Sequence, residues 1–241
     1  MTEKKNNKKL HVKTTVILIV LVLLLVFSFY RGINVETNKY PIIDTNIENN
    51  NLSYLYEFYT SPDPFLDNRP FFGNNTAQIT MIVFADNTGT KSREFITETF
   101  PIIKEEYIDT GKIKFYHKNN IDIVDYKQQN DPYKFAQALL CVNKFYPDQY
   151  WDYYFNSFSM KVQENLNLNS MDGQLILDCM EQEVFEELKE DISETQKFKI
   201  QGINPVIYIG VADGNYDVLI GSPSIAKLRR AIRQKQLIIG D

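Results

Sequence analysis

The strongest feature of the hydropathy pattern is TTVILIVLVLLLVFSFY, residues 14–30, a run of 17 residues without a charge. A helix of that length spans about 25 Å, enough to cross the hydrocarbon layer. A helix of a soluble core is seldom apolar all round. Lys4, Lys5, Lys8, Lys9 and Lys13 precede the run, against Arg31 and Lys39 just after it. That bias puts the N-terminus in the cytoplasm. The exit, SFYRGINVETN, offers no small-x-small pair for cleavage, so the run reads as a transmembrane anchor rather than a signal peptide. The expected organisation is a cytoplasmic tail over 1–13, an anchor over 14–30 and an extracytoplasmic remainder.

Residues 31–70 are polar and Asn-rich, with one aromatic patch, LSYLYEFY at 52–59. This segment reads as a stalk or linker able to add an edge strand or short helix to the domain on its C-terminal side. QITMIVF, residues 78–84, is short, β-branched and mostly apolar, as a buried strand is. In the next stretch Ile96, Phe100, Ile103 and Tyr107 recur at helical spacing, Pro101 predicts a kink and Gly111 an end. KIKFYHK, residues 112–118, alternates as a second strand. Strand, helix and strand with short links make a βαβ unit. From about 131 to 198 the period is helical throughout. Phe135, Ala138, Leu139, Val142 and Phe145 mark one helix, Trp151, Phe155 and Phe158 a second, Phe185, Leu188 and Ile192 a third. NPVIYIG (204–210) returns to strand, Asp213-Gly214-Asn215 predicts a hairpin turn, and YDVLIG pairs back. Ser222 or Ser224 then caps a last helix with Ile225, Leu228 and Ile232 inward. The fold class is α/β, βαβ then ββα around an all-helical insert.

Composition narrows the chemistry. The 241 residues carry a formal net charge of −5, which gives no general attraction for nucleic acid. His11 and His117 are the only histidines, too few for a metal site built on several imidazoles. No HExxH, phosphate-loop or GxSxG element occurs. No cofactor or metal is expected. Asn51 and Asn74 match the N-glycosylation acceptor pattern, a pattern common by chance in an Asn-rich chain. The run KLRRAIRQK gives the last helix a basic face suited to a helix C-terminal dipole. EQEVFEELKEDISE reads as the solvated side of an amphipathic helix.

Four runs, in order and spacing, resemble one family. FFGNNTAQITMIVFAD, FITETFPIIKEEYIDTGKIKFYHKN with its mid-helix proline, AQALLCVNKFYPDQYWDYYFNSF and GINPVIYIG are similar to thiol-disulfide oxidoreductases of the DsbA type. These have a thioredoxin-like fold with a helical insertion. The resemblance covers residues 71 to about 234. It implies a Cys-x-x-Cys after the Phe-x-Asp of the first strand, and a cis-proline at Pro205 that presents backbone to an extended peptide. The chain departs from this at the chemical centre. After Phe84-Ala85-Asp86 the matching tetrad is Gly89-Thr90-Lys91-Ser92, with no sulfur. Exchange needs a thiolate at a helix N-terminus, and glycine has no nucleophile. Ser92 reads as a helix N-cap. A serine nucleophile would need a base, and His117, the one candidate, lies on another strand.

The two cysteines, Cys141 and Cys179, lie in the insert and face inward by their spacing. Relatives with cysteines at these positions can pair them. The resemblance thus implies a structural disulfide, with two buried thiols and a relocated redox centre as the other readings. Closing such a loop stabilises by roughly 3–4 kcal/mol on the chain-entropy model. The expected function is a membrane-anchored, extracytoplasmic protein with a degenerate active site. It would work by binding extended polypeptide or an envelope partner in a groove at Thr90, Asn204 and Pro205, by strand addition, which needs no sulfur. An oxidoreductase or isomerase using Cys141 and Cys179, and a structural spacer in the envelope, are the alternatives.

Overall fold

In a computed structural model the described residues are 56–57, 64, 66, 68–168, 171–183, 185–211 and 215–240. The apolar run at 14–30, the basic tail, most of the 31–70 segment and the predicted turn residues Asp213 and Gly214 lie outside them. Among the described residues no helix is long and apolar enough to cross a membrane.

Six strands form one sheet in the order β1-β6-β5-β3-β4-β2. They are β1 (Tyr56–Glu57), β2 (Phe71–Gly73), β3 (Ile79–Ala85), β4 (Ile113–Asn119), β5 (Val206–Val211) and β6 (Asn215–Ile220). Only β3 and β4 run parallel, with Ile79 opposite Ile113 and Ala85 opposite Asn119. A parallel pair needs a crossover helix, which the helical pattern after β3 supplies. All of β3 except Thr80 is buried, because both faces of this central strand are covered, and its sequence is accordingly a continuous apolar run. Alternation sends Ile79, Met81, Val83 and Ala85 into a core shared with the helices. It sends Ile82 and Phe84 into a smaller one with Tyr208, Phe198 and Ile203. The aromatic patch of the linker contributes β1, whose Tyr56 and Glu57 pair with Leu219 and Val218 of β6.

The crossover is one continuous helix, residues 90–108, here α1. It is α-helical over Thr90–Glu94 and Phe100–Ile103 and π-wound over Phe95–Thr99 and Lys104–Ile108. Pro101 donates no N–H to the turn before it, and the wider winding of Phe95–Thr99 lies at that missing bond. Each π turn carries an extra residue, so the inward stripe slips. Phe95 and Ile108 join Ile96, Phe100 and Ile103 in the core, while Tyr107 packs only at its edge.

The helical insert opens before residue 131. It comprises α2 (Ile123–Gln128), α3 (Asp131–Phe145), α4 (Tyr150–Ser157), α5 (Val162–Leu168), α6 (Gly173–Gln182) and α7 (Glu186–Lys197). The middle of α3, from Ala136 to Val142, is buried on every side, so a single stripe does not describe it. Phe145, expected inward, is exposed. In α4 the largest buried side chains are Tyr153 and Tyr154, whereas Trp151 and Phe155 pack at the core's margin. There Phe155 stacks on Phe100 at 5.2 Å and meets Phe72 at 5.5 Å. Trp151 donates its indole N–H to the Phe71 carbonyl at 3.0 Å. These rings hold the insert to α1 and to the edge strand β2.

A buried ion network fastens α7 to the sheet. The Asp191 carboxylate receives Arg69 at 2.9 Å and Lys118 at 3.4 Å. Its Oδ2 accepts the backbone N–H and side-chain amide of Asn119 at 2.9 and 3.0 Å. Lys118 also pairs with Glu194. The chain closes with α8 (Ile225–Ile239), which turns Leu228, Ala231 and Ile232 inward. Ser224 is its N-cap, without a side-chain bond to the helix. The helix runs on beyond the basic run, and its last turn holds no basic residue. Lys235 is instead buried, donating to Asp217 at 3.0 Å. The basic residues therefore do not sit at the helix dipole's negative end, contrary to the sequence reading.

Candidate functional site

The tetrad lies where β3 gives way to α1. Gly89, not Ser92, is the N-cap residue of α1. Asp86 Oδ1 accepts the N–H of Thr88 at 3.0 Å and that of Gly89, so its carboxylate folds over the helix start. A Cβ built on Gly89 would stand 2.7 Å from that oxygen and 3.3 Å from Ser92 Oγ. The carboxylate therefore fills the space that a side chain at this position would occupy. Burial raises the Asp86 carboxyl above its ordinary pKa, opposed by the hydrogen bonds from Gly89 and Thr88.

Ser92 sits one turn inside α1, fully buried, and its hydroxyl has no hydrogen-bond partner. It makes no capping bond, and the Asp86 carboxylate instead reaches forward to the N–H groups of Thr88 and Gly89, just ahead of the first helical residue. Thr90 and Lys91 are exposed, and Lys91 pairs with Glu94 at 2.6 Å.

The Asn204–Pro205 peptide is cis and leads into β5. Asn204 joins this loop to the helix start. Its amide donates to Asp86 Oδ2 at 2.7 Å and to the Asn120 carbonyl at 3.1 Å. Its oxygen accepts the Asp86 N–H at 3.1 Å. Asn120 in turn donates to the carbonyls of Ile200 and Ile203 at 2.9 and 2.6 Å. On the other side Asn87, also buried, donates to Ser157 of α4, whose hydroxyl donates to the Tyr154 carbonyl at 2.6 Å. The loop from Asp86 to Gly89 is thus held by the sheet, the insert and the proline loop together. Asp86, Asn87, Asn120 and Ser157 were not singled out in the sequence. The only local signal was the Asp-Asn-Thr-Gly turn chemistry, since the other partners are remote in sequence.

His117 lies inside β4 and is buried. Its ring is 4.5 Å from that of Tyr154, and its Nε2 lies 3.3 Å from Asn119 Oδ1. Burial pushes its pKa down to about 4, so the imidazole is neutral and its polar contact is Asn119, not Ser92. No nucleophile–base pair forms at the tetrad.

Cys141 of α3 and Cys179 of α6 form a disulfide with Cα atoms 6.1 Å apart. Both residues are buried in the core of the insert. The bond ties two helices at positions internal to each and lies at no helix start, the setting that lowers a thiol pKa. Asn74, of the second glycosylation pattern, is exposed, and its side chain is turned onto Thr76. Asn51 lies outside the described residues.

A family model described as Thioredoxin matches residues 66–232. Two curated Bacillus proteins, each named "Probable disulfide bond formation protein D", align over 223 residues. That of Bacillus anthracis is 26% identical, covering 86% of this chain and 92% of its own. That of a Bacillus cereus strain is 25% identical, covering 86% and 93%. Among solved structures, oxidised BdbD from Bacillus subtilis superposes with a TM-score of 0.62 at 21% identity, over 73% of this chain and 96% of that one. DsbA of Chlamydia trachomatis gives 0.59 at 22% identity, over 73% and 95%. At such identities the solved structures bear on the fold alone. The family match spans more than half of the chain, the strand order and helical insert agree with it, and this chain belongs to the thioredoxin family.

Proposed function

We propose that this chain is a membrane-anchored, extracytoplasmic DsbA-type protein that does not exchange disulfides at the start of α1 and works by holding extended polypeptide or an envelope partner. The observation that carries the reading is the packing at Gly89. The Asp86 carboxylate occupies the space of a side chain there and bonds both the helix start and Asn204. Thiol–disulfide exchange begins with attack by a thiolate, and Gly89 and Ser92 supply none. Both sulfurs of the cysteine pair are joined to each other inside the insert. The proline loop beside the helix start remains tied in place, and an extended strand can pair with such backbone without sulfur chemistry.

The test uses the full chain in detergent with a fluorescent, carboxymethylated unfolded polypeptide. Binding is expected, with about a tenfold loss for Asn204→Ala and for Thr90→Tyr, the second filling the groove while leaving the Asn204 bonds intact. Equal affinity in both variants, with unchanged melting temperatures, overturns the groove. Insulin reduction separates the enzyme reading. Turnover that vanishes in a Cys141→Ser/Cys179→Ser variant would move the chemistry into the insert.

A further inference from the structure

The exposed side of α8 carries both basic and apolar residues. Leu237 is 73% exposed and Ile238 55%, more than any other large hydrophobic side chain among the described residues. Arg230, Arg233 and Leu237 follow at i, i+3 and i+7 on α8 and share one face. Both arginines are exposed, whereas Leu228, Ala231, Ile232 and Lys235 bury the opposite side. Arg229, also on this helix, is occupied by Glu106 at 2.9 Å. An exposed basic face with an aliphatic side chain beside it complements an anionic surface.

The location adds to this. A cleft of about 320 Å³ at the end of α8 is lined by Thr76, Gln78, Gly111, Lys112 and Ile239. These residues mark where β3 starts and where α1 ends. The tetrad and Asn204 lie where β3 ends and α1 starts, about 20–25 Å away along a strand of this length. The chain as a whole is acidic, at −5, with Glu186, Glu187 and Glu190 exposed on α7. An anionic surface therefore attracts the α8 face locally while repelling much of the rest, which fixes an orientation.

We propose that the outer face of α8, carrying Arg230, Arg233 and Leu237, docks on an anionic bilayer surface. The inference rests on the reading of residues 14–30 as an anchor, which brings the domain to the outer leaflet. Leu237 enters the headgroup boundary while Arg230 and Arg233 meet lipid phosphates. On sequence grounds the basic run belonged to the helix dipole. The extra helical turn beyond it removes that role and supplies the apolar half of the face.

The experiment reconstitutes the full chain in vesicles of phosphatidylglycerol and phosphatidylcholine, or of phosphatidylcholine alone. Leu237→Cys, labelled with an environment-sensitive dye, reports the local polarity. The native cysteines are paired, so the introduced thiol is the one labelled. Blue-shifted emission, quenched by nitroxide lipid, is expected in the anionic vesicles. It should weaken about fivefold in docking equilibrium for each of Arg230→Gln and Arg233→Gln. Emission identical in both lipids, or unaffected by the arginine variants, overturns the proposal. So does an equal shift in detergent that grows with protein concentration, which would assign the face to a second copy. Alkaline carbonate extraction scores the anchor separately. If the chain is released, flotation of the same labelled protein with the same vesicles still reads the α8 face.

Discussion

At the start of α1 one carboxylate does the work of two residues. Asp86 holds the N–H groups of Thr88 and Gly89 ahead of the helix and binds Asn204 across the loop. Asp86→Ala removes both and is expected to cost about 1–2 kcal/mol in chemical unfolding. Gly89→Ala keeps the carboxylate but pushes it away, since the new Cβ would meet Oδ1 at 2.7 Å. Its loss should be of similar size and should nearly disappear in the Asp86→Ala background, because the two changes remove the same contacts. His117 gives a pH dependence of defined sign. Its folded pKa, about 4, lies below the ordinary 6.5, so folding requires the neutral ring. Stability is therefore complete above pH 6.5 and lost as pH falls toward 4, by roughly 3 kcal/mol from this residue. Thermal melts of the wild type should fall between about pH 7 and 5 more steeply than those of His117→Gln. Parallel slopes would show that the imidazole titrates alike in the folded and unfolded chain.

Among the elements, the insert is secured by two different devices. The disulfide joins α3 to α6 and closes a loop with a sequence separation of 38. Cys141→Ser/Cys179→Ser is expected to lose roughly 3–4 kcal/mol, chiefly by freeing the unfolded chain. The Asp191 network joins α7 to β4 and to Arg69. Asp191→Asn leaves Arg69 and Lys118 with less negative charge in a buried setting. A loss of about 3–5 kcal/mol is expected, with amide exchange in α7 rising before that in β3. The winding of α1 also belongs to this scale. Pro101 announced an interruption, but not its form, because widening the turns depends on what packs against them. Here Phe100, Phe155 and Phe72 form a ring cluster against it.

For the molecule as a whole, the expected activity profile follows from where sulfur stands. Insulin reduction by the full chain should not exceed that of Cys141→Ser/Cys179→Ser, and the proposed unfolded-chain binding should weaken in Asn204→Ala. The βαβ unit, the insert and the closing hairpin and helix were legible because each is a local hydrophobic period with turn residues at its ends. The missing dithiol needed only the positions of two cysteines. The anchor proposed for residues 14–30 rests on composition along that one segment, which lies outside the described residues. The sequence could not reveal that Asp86 fills the space beside Gly89, that Asn204 binds it, or that Asp191 gathers Arg69, Lys118 and Asn119. Those partners are far apart in the chain, and hydrogen bonds and ion pairs leave no periodic trace in it. The burial of Ser92 and the exposure of Phe145 were likewise settled by which faces the sheet and neighbouring helices cover. Periodicity determines that a segment has an inner face; only tertiary packing decides how wide that face is and which polar groups close around the site.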